Sequence, residues 1–110
     1  MEIEYGNSRI KKKLSSASEI KKAFGNMAKA MSRRMDDIRA SPNLKVLMQL
    51  PAAACHALTG DRKGEWAVTI SGNHRLIFEI LDDPIPKLDD GGIDTIKVTG
   101  VIILETTDYH

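Results

Sequence analysis

A chain of 110 residues is long enough for one hydrophobic core and too short for two, so residues 1–110 are read as a single domain. Hydrophobic residues at 42% and charged residues at 28% exclude a disordered chain, and the longest aliphatic run, Val101-Ile102-Ile103-Leu104, is far below the roughly 20 residues that cross a bilayer. The net charge of +1 hides a division: residues 1–60 carry 11 Lys/Arg against 5 Asp/Glu, and residues 61–110 carry 5 against 10.

Glu2-Ile3-Glu4-Tyr5 alternates and reads as an edge strand that Gly6-Asn7 breaks. Ile10 and Leu14, four apart among Arg9, Lys11, Lys12 and Lys13, predict a short helix with one apolar edge and a basic exterior. Ser16 and Glu19 have capping-box spacing. Behind them Ile20, Phe24, Met27, Met31, Met35 and Ile38 recur every three or four residues, which predicts one long helix that Gly25 weakens locally and Ser41-Pro42 ends. Leu44, Leu47 and Leu50 suggest a last short helical or irregular piece on the same core.

Glu65 to Ile70 alternates as a strand with Trp66, Val68 and Ile70 on one face. Ser71-Gly72-Asn73 supplies a turn, and in the returning strand Leu76, Phe78 and Ile80 point one way while Arg75 and Ile77 point the other. Residues 81–92 are acidic and rich in proline and glycine, and read as an exposed hairpin loop because the spacing of a calcium loop is absent. Ile93, Ile96 and Val98, then Val101 to Leu104, support one or two final strands. The expected fold class is α+β, with amino-terminal helices packed on a mostly antiparallel twisted sheet.

The chain starts Met1-Glu2-Ile3-Glu4 with no basic-then-apolar leader, so a cytoplasmic protein is expected. Cys55 is the only cysteine, which excludes an internal disulfide and reads as a small buried hydrophobe. Three separated histidines without a cysteine pair give no compact zinc pattern, so neither a metal nor an organic cofactor is expected. The Lys/Arg-rich helical face suits a phosphate backbone, an acidic protein partner or plain solvation, and charge alone leaves all three open.

His56-Ala57-Leu58-Thr59-Gly60-Asp61, then Asn73-His74-Arg75, and the ending Asp108-Tyr109-His110 give the chain a combined pattern that resembles a HigB-like toxin of the RelE/ParE superfamily, the plasmid maintenance killer type. The resemblance runs over nearly the whole length. It implies a ribosome-dependent endoribonuclease that cuts mRNA in the ribosomal A site, whose partners are the ribosome, mRNA and a cognate antitoxin in a toxin–antitoxin hetero-oligomer, with no membrane. It maps His56, Arg75, Asp108, Tyr109 and His110 to the catalytic positions. Thr59 stands where many relatives carry lysine, and His74 where they carry an aromatic residue.

The same residues suit that chemistry on physical grounds. RNA supplies its own nucleophile, the 2′-hydroxyl, so cleavage needs a base for its proton, a cation for the phosphorane and an acid for the departing 5′-oxygen. Histidine titrates near neutrality, and His110 is assigned as general acid or base with His56 in the complementary proton-transfer or phosphate-binding role. Arg75 offers a permanently charged fork to phosphate oxygens. Tyr109 can stack on a splayed base, and Asp108 orients a neighbouring group. Arg62, Lys63, His74 and Arg75 are the expected RNA contacts. The competing class is a noncatalytic module that binds RNA or an antitoxin.

Overall fold

The computed structural model describes residues 1–108. The chain runs β1 (Glu2–Tyr5), α1 (Ser8–Lys13), α2 (Ala17–Phe24), α3 (Ala28–Ala40), α4 (Leu44–Met48), β2 (His56–Ala57), β3 (Glu65–Ser71), β4 (His74–Ile80) and β5 (Gly100–Asp108), with short 3-10 turns between several of these. Among the described residues the strands form one sheet in the order β1-β5-β4-β3-β2, antiparallel except where β1 lies parallel to β5.

Side chains of Asn7, Ser16 and Asn43 start α1, α2 and α4 by accepting from the amides of Ile10 (2.9 Å), Glu19 (3.2 Å) and Val46 (3.0 Å). Each thereby satisfies a donor that the first helical turn leaves without a partner. The single long helix expected over Ile20 to Ile38 is instead two. Gly25 adopts φ 51°, ψ −119°, a conformation that costs little only without a Cβ, and a 3-10 turn over Gly25–Met27 lets α2 and α3 pack against each other. The apolar stripe survives the break because both pieces face the same core, where Met31, Met35 and Ile38 are fully buried. Burying three such side chains contributes on the order of 2 kcal/mol each, more than the turn costs.

The helices cover one face of the sheet. Ile10, Leu14, Ile20, Leu44 and Leu47 meet Trp66, Val68, Ile70, Leu76, Phe78, Ile80, Val101 and Ile103 in one core, with the Trp66 and Phe78 rings stacked at 6.4 Å across β3 and β4. Ala67 and Ile77 are also buried but lie on the opposite face, as strand alternation requires.

Two polar devices hold the periphery. Arg34 on α3 is 5% exposed; its Nε donates to the Thr69 carbonyl (2.6 Å) and its guanidinium pairs with Asp37 (2.6 Å). The Leu58 amide donates to the Glu65 carbonyl, so by alternation the Thr69 carbonyl points to the outer side of β3, beyond the end of two-residue β2. The second device closes the excursion between β4 and β5. Asp82 accepts from the Thr99 amide (3.1 Å), the Thr99 hydroxyl (3.1 Å) and the Gly100 amide (3.0 Å). Partial burial alone would raise its carboxyl, but these donors outweigh burial and hold it below the ordinary aspartate range. Within the excursion an antiparallel bridge pairs Lys87 with Ile93, supported by Leu88 N–H to Gly92 O (2.7 Å) and Asp94 N–H to Pro86 O (3.0 Å), so the expected hairpin loop is braced. One final strand, β5, follows it; Ile96 lies in an exposed 3-10 turn over Thr95–Lys97.

Candidate functional site

The face of the sheet turned away from the helices carries the side chains of interest. Cross-strand partners share a face, so the register aligns His56, Ala67, Ile77 and Glu105 in one row, Thr69, Arg75 and Thr107 in the next, and Glu65 beside Glu79 in a third. His56 and Arg75 therefore lie on one face. They are two strands and two residues apart, about 12 Å between Cα atoms by ordinary strand spacing.

His56 is exposed at the sheet edge, and its ring is oriented from behind. Ala54 takes a left-handed conformation (φ 44°) that presents its carbonyl to His56 Nδ1 at 2.9 Å. A carbonyl only accepts, so Nδ1 carries the hydrogen and Nε2 is left to exchange a proton or meet a ligand. Arg75 folds toward the β3–β4 turn, donating from one terminal nitrogen to the carbonyls of Gly72 (2.8 Å) and His74 (3.2 Å). The Thr107 hydroxyl opposite it is enclosed and has no hydrogen-bond partner among the described residues.

The other expected RNA contacts are distributed differently. Arg62 reaches between carboxylates on the two strands that flank β4, Glu65 of β3 (2.7 Å) and Glu105 of β5 (3.2 Å). Partial burial would lower its guanidinium pKa, but the two carboxylates raise it further, so the charge is fixed and already compensated. Lys63 lines a cleft on the other side of the sheet. His74 alternates to the helix side, where its Nε2 lies 3.5 Å from Asp108 at the end of β5. His74 and Arg75, adjacent in sequence, thus serve opposite faces. Tyr109 and His110 lie outside the described residues.

Sequence reading missed the carboxylates of this face. Glu65 and Glu79 were legible, since each alternates with core residues of its strand. Glu105 was not: Val101 and Ile103 face the core, and unbroken alternation would send Glu105 there too. A bulge at Leu104, where Phe78 pairs with Ile103 but Ile77 with Glu105, turns Glu105 and Thr107 outward. A charged residue in core register was the signal.

Cys55 is buried and its thiol is pushed up to about 12, so it stays protonated and unreactive at neutral pH. Among the described residues no group of three His, Cys, Asp or Glu side chains could hold a metal ion. No helix among them is long and apolar enough to cross a membrane.

No family model matches the chain, and no curated protein matches it. Among solved structures it is similar to the YoeB/ParE toxin from Agrobacterium tumefaciens, at 12% identity and a TM-score of 0.57, over 100% of both chains. The likeness is one of fold, and the chain has the RelE/ParE-like architecture of amino-terminal helices packed on a mixed, mostly antiparallel sheet.

Proposed function

We propose that the chain is a HigB-like toxin of the RelE/ParE superfamily, a metal-independent endoribonuclease that cuts mRNA in the ribosomal A site in the cytoplasm and is neutralised by a cognate antitoxin. The observation that carries this reading is that His56 and Arg75, from β2 and β4, share one open face, with Thr107 near the end of β5 beside Arg75 and Asp108 next to it on the helix side. Tyr109 and His110 follow directly from that end.

In this reading one histidine takes the proton of the 2′-hydroxyl as its oxygen attacks the adjacent phosphorus. A phosphorane forms, and the 5′-oxygen leaves with a proton from the other histidine, so no external nucleophile is consumed. Arg75 neutralises the phosphorane oxygens, Tyr109 stacks on a base and Asp108 orients its neighbours. Arg62, Lys63 and His74 contribute RNA contacts outside the reacting centre; for Arg62, a phosphate must displace Glu105.

A specific observation favours the second reading, a noncatalytic module that binds RNA or an antitoxin. Glu65, Glu79 and Glu105 share the face of His56 and Arg75 and repel a polyanion there, while the basic residues cluster on the helices behind it. Purified protein incubated with programmed ribosomes and, separately, with naked mRNA decides between them when the cut ends are mapped. Ribosome-dependent cuts that fall about 100-fold or more in His56→Gln, and that Arg75→Lys impairs, support the nuclease. Binding without cuts supports the module.

A further inference from the structure

The bulge in β5 turns Thr107 onto the open face, directly opposite Arg75. Thr107 is half-buried, and its enclosed hydroxyl has no hydrogen-bond partner among the described residues. Nothing local asks for that hydroxyl. A strand position of this kind favours a β-branched residue, and valine has the shape of threonine without the polar atom that burial penalises. Buried side-chain oxygens are nearly always bonded, so an unpartnered one calls for a partner that a second arrangement brings.

The row identifies that partner. Thr69, Arg75 and Thr107 lie side by side on β3, β4 and β5, and side chains directly opposite one another stand about 5 Å apart at Cβ. Arg75 is the donor-rich member of the row, and a threonine oxygen can accept from it. In the observed arrangement one terminal nitrogen of Arg75 is held at the β3–β4 turn by the carbonyls of Gly72 (2.8 Å) and His74 (3.2 Å). The row of His56 lies on the other side of Arg75, next to Ile77, so folding toward the turn carries the charge away from His56.

We infer that Thr107 is a positioning residue for Arg75. Its Oγ1 accepts from the guanidinium in a second arrangement, in which the side chain leaves the turn, lies along its own row and offers its remaining N–H groups to a phosphate between Arg75 and His56. The exchange is easy at the turn, where the Gly72 carbonyl is exposed and water can replace Arg75. It also shortens the separation of about 12 Å that strand spacing leaves between the two Cα atoms. The inference rests on the reading of Arg75 as the phosphate-binding cation, but neither reading of the open face gives Thr107 a role.

The full chain is prepared with isotope-labelled arginine, and the Nε–H resonance of Arg75 is identified by its loss in Arg75→Lys. The probe is a trinucleotide 2′-O-methylated on every ribose, which offers phosphates but no nucleophile, added to millimolar concentration at low salt. In the parent the Arg75 resonance is expected to shift saturably while its hydrogen exchange with water slows. Thr107→Val keeps the side-chain shape, so the urea midpoint stays or rises. Its affinity for the probe nevertheless falls about fivefold or more, and the protection of the Arg75 Nε–H is lost. Thr107→Ser returns the hydroxyl and recovers both. Equal responses in the parent and in Thr107→Val overturn the inference while leaving Arg75 as a phosphate ligand. An Arg75 resonance that ignores the probe in the parent overturns the inference and the phosphate reading together. Failure of Thr107→Ser to recover the response would assign the effect to the methyl group and overturn the inference. So would a clear fall of the urea midpoint in Thr107→Val, because the hydroxyl would then already be bonded in the free chain.

Discussion

Arg62 sits between Glu65 and Glu105 as a cation whose partners are already chosen. Its side chain and that of Glu105 are 37% and 50% exposed, so solvent screens the longer pair and its contribution to stability is on the order of 0.5 kcal/mol. That weakness matters for binding, because exchanging Glu105 for a phosphate costs little. Glu105→Gln is therefore expected to change the urea midpoint only slightly while raising affinity for a labelled single-stranded RNA several-fold at low salt, read by fluorescence anisotropy. Unchanged RNA affinity would mean that Arg62 does not face the nucleic acid. At this scale the sequence was partly readable. His56 sits in the motif that suggested it and Arg75 on the predicted face, because two-residue alternation is a local rule. The separation of His74 from Arg75 follows from the same rule and was legible too. Glu105 depended on a bulge, which is a property of the pairing between two strands, and its one mark in the sequence is a charged residue in core register.

The pair α2 and α3 shows how an element can be misread while its burial is read correctly. Residues Ile20 to Ile38 keep a helical period through Gly25, and a period carries no information about whether the helix is broken there. Gly25 holds φ 51°, ψ −119°, and a Cβ there would meet nothing within 4 Å, so Gly25→Ala tests backbone strain without a steric clash. The expected loss is about 1–3 kcal/mol by urea unfolding. A loss near zero would place the cause of the break in the flanking contacts instead. The excursion before β5 makes a different test. Asp82 has a lowered carboxyl pKa in the folded chain, so it contributes stability that is complete above the ordinary aspartate value and is lost as pH falls through the lower folded value. Asp82→Asn should lower stability at neutral pH and reduce the acid-side slope of stability against pH below about 4. Equal slopes in parent and variant would assign the acid response to other carboxylates. Composition identified this segment as an exposed loop, but the three donors that Asp82 collects come from Thr99 and Gly100, 17 and 18 residues away, and no local pattern announces them.

Across the whole molecule the division of charge along the chain becomes a division in space. The basic residues of α1 and α2 lie on the helical layer, while Glu65, Glu79 and Glu105 occupy the opposite face and the aspartates of residues 82–94 the excursion between β4 and β5. This segregation follows from the order of elements, helices first and most of the sheet afterwards, and so was legible before the fold was known. What the order could not give was the protection of the sheet's margin. Two-residue β2 leaves the outer side of β3 uncovered past Ala67, and Arg34 places its Nε against the Thr69 carbonyl there. Arg34→Met would remove that donor and leave Asp37, whose side chain is 30% exposed, without its cation, at an expected cost of about 1–3 kcal/mol, chiefly for the unsatisfied carbonyl. Reversal of the loss by Asp37→Leu in the same chain would assign it to the stranded charge; the open carbonyl would persist. A strand with free backbone groups is a template for the next molecule. The double variant should therefore refold yet elute from a sizing column as concentration-dependent, thioflavin-positive assemblies, whereas the parent does not. In that light Arg34 is a solubility device as much as a structural one, a single guanidinium that keeps a β-sheet from growing beyond its own chain.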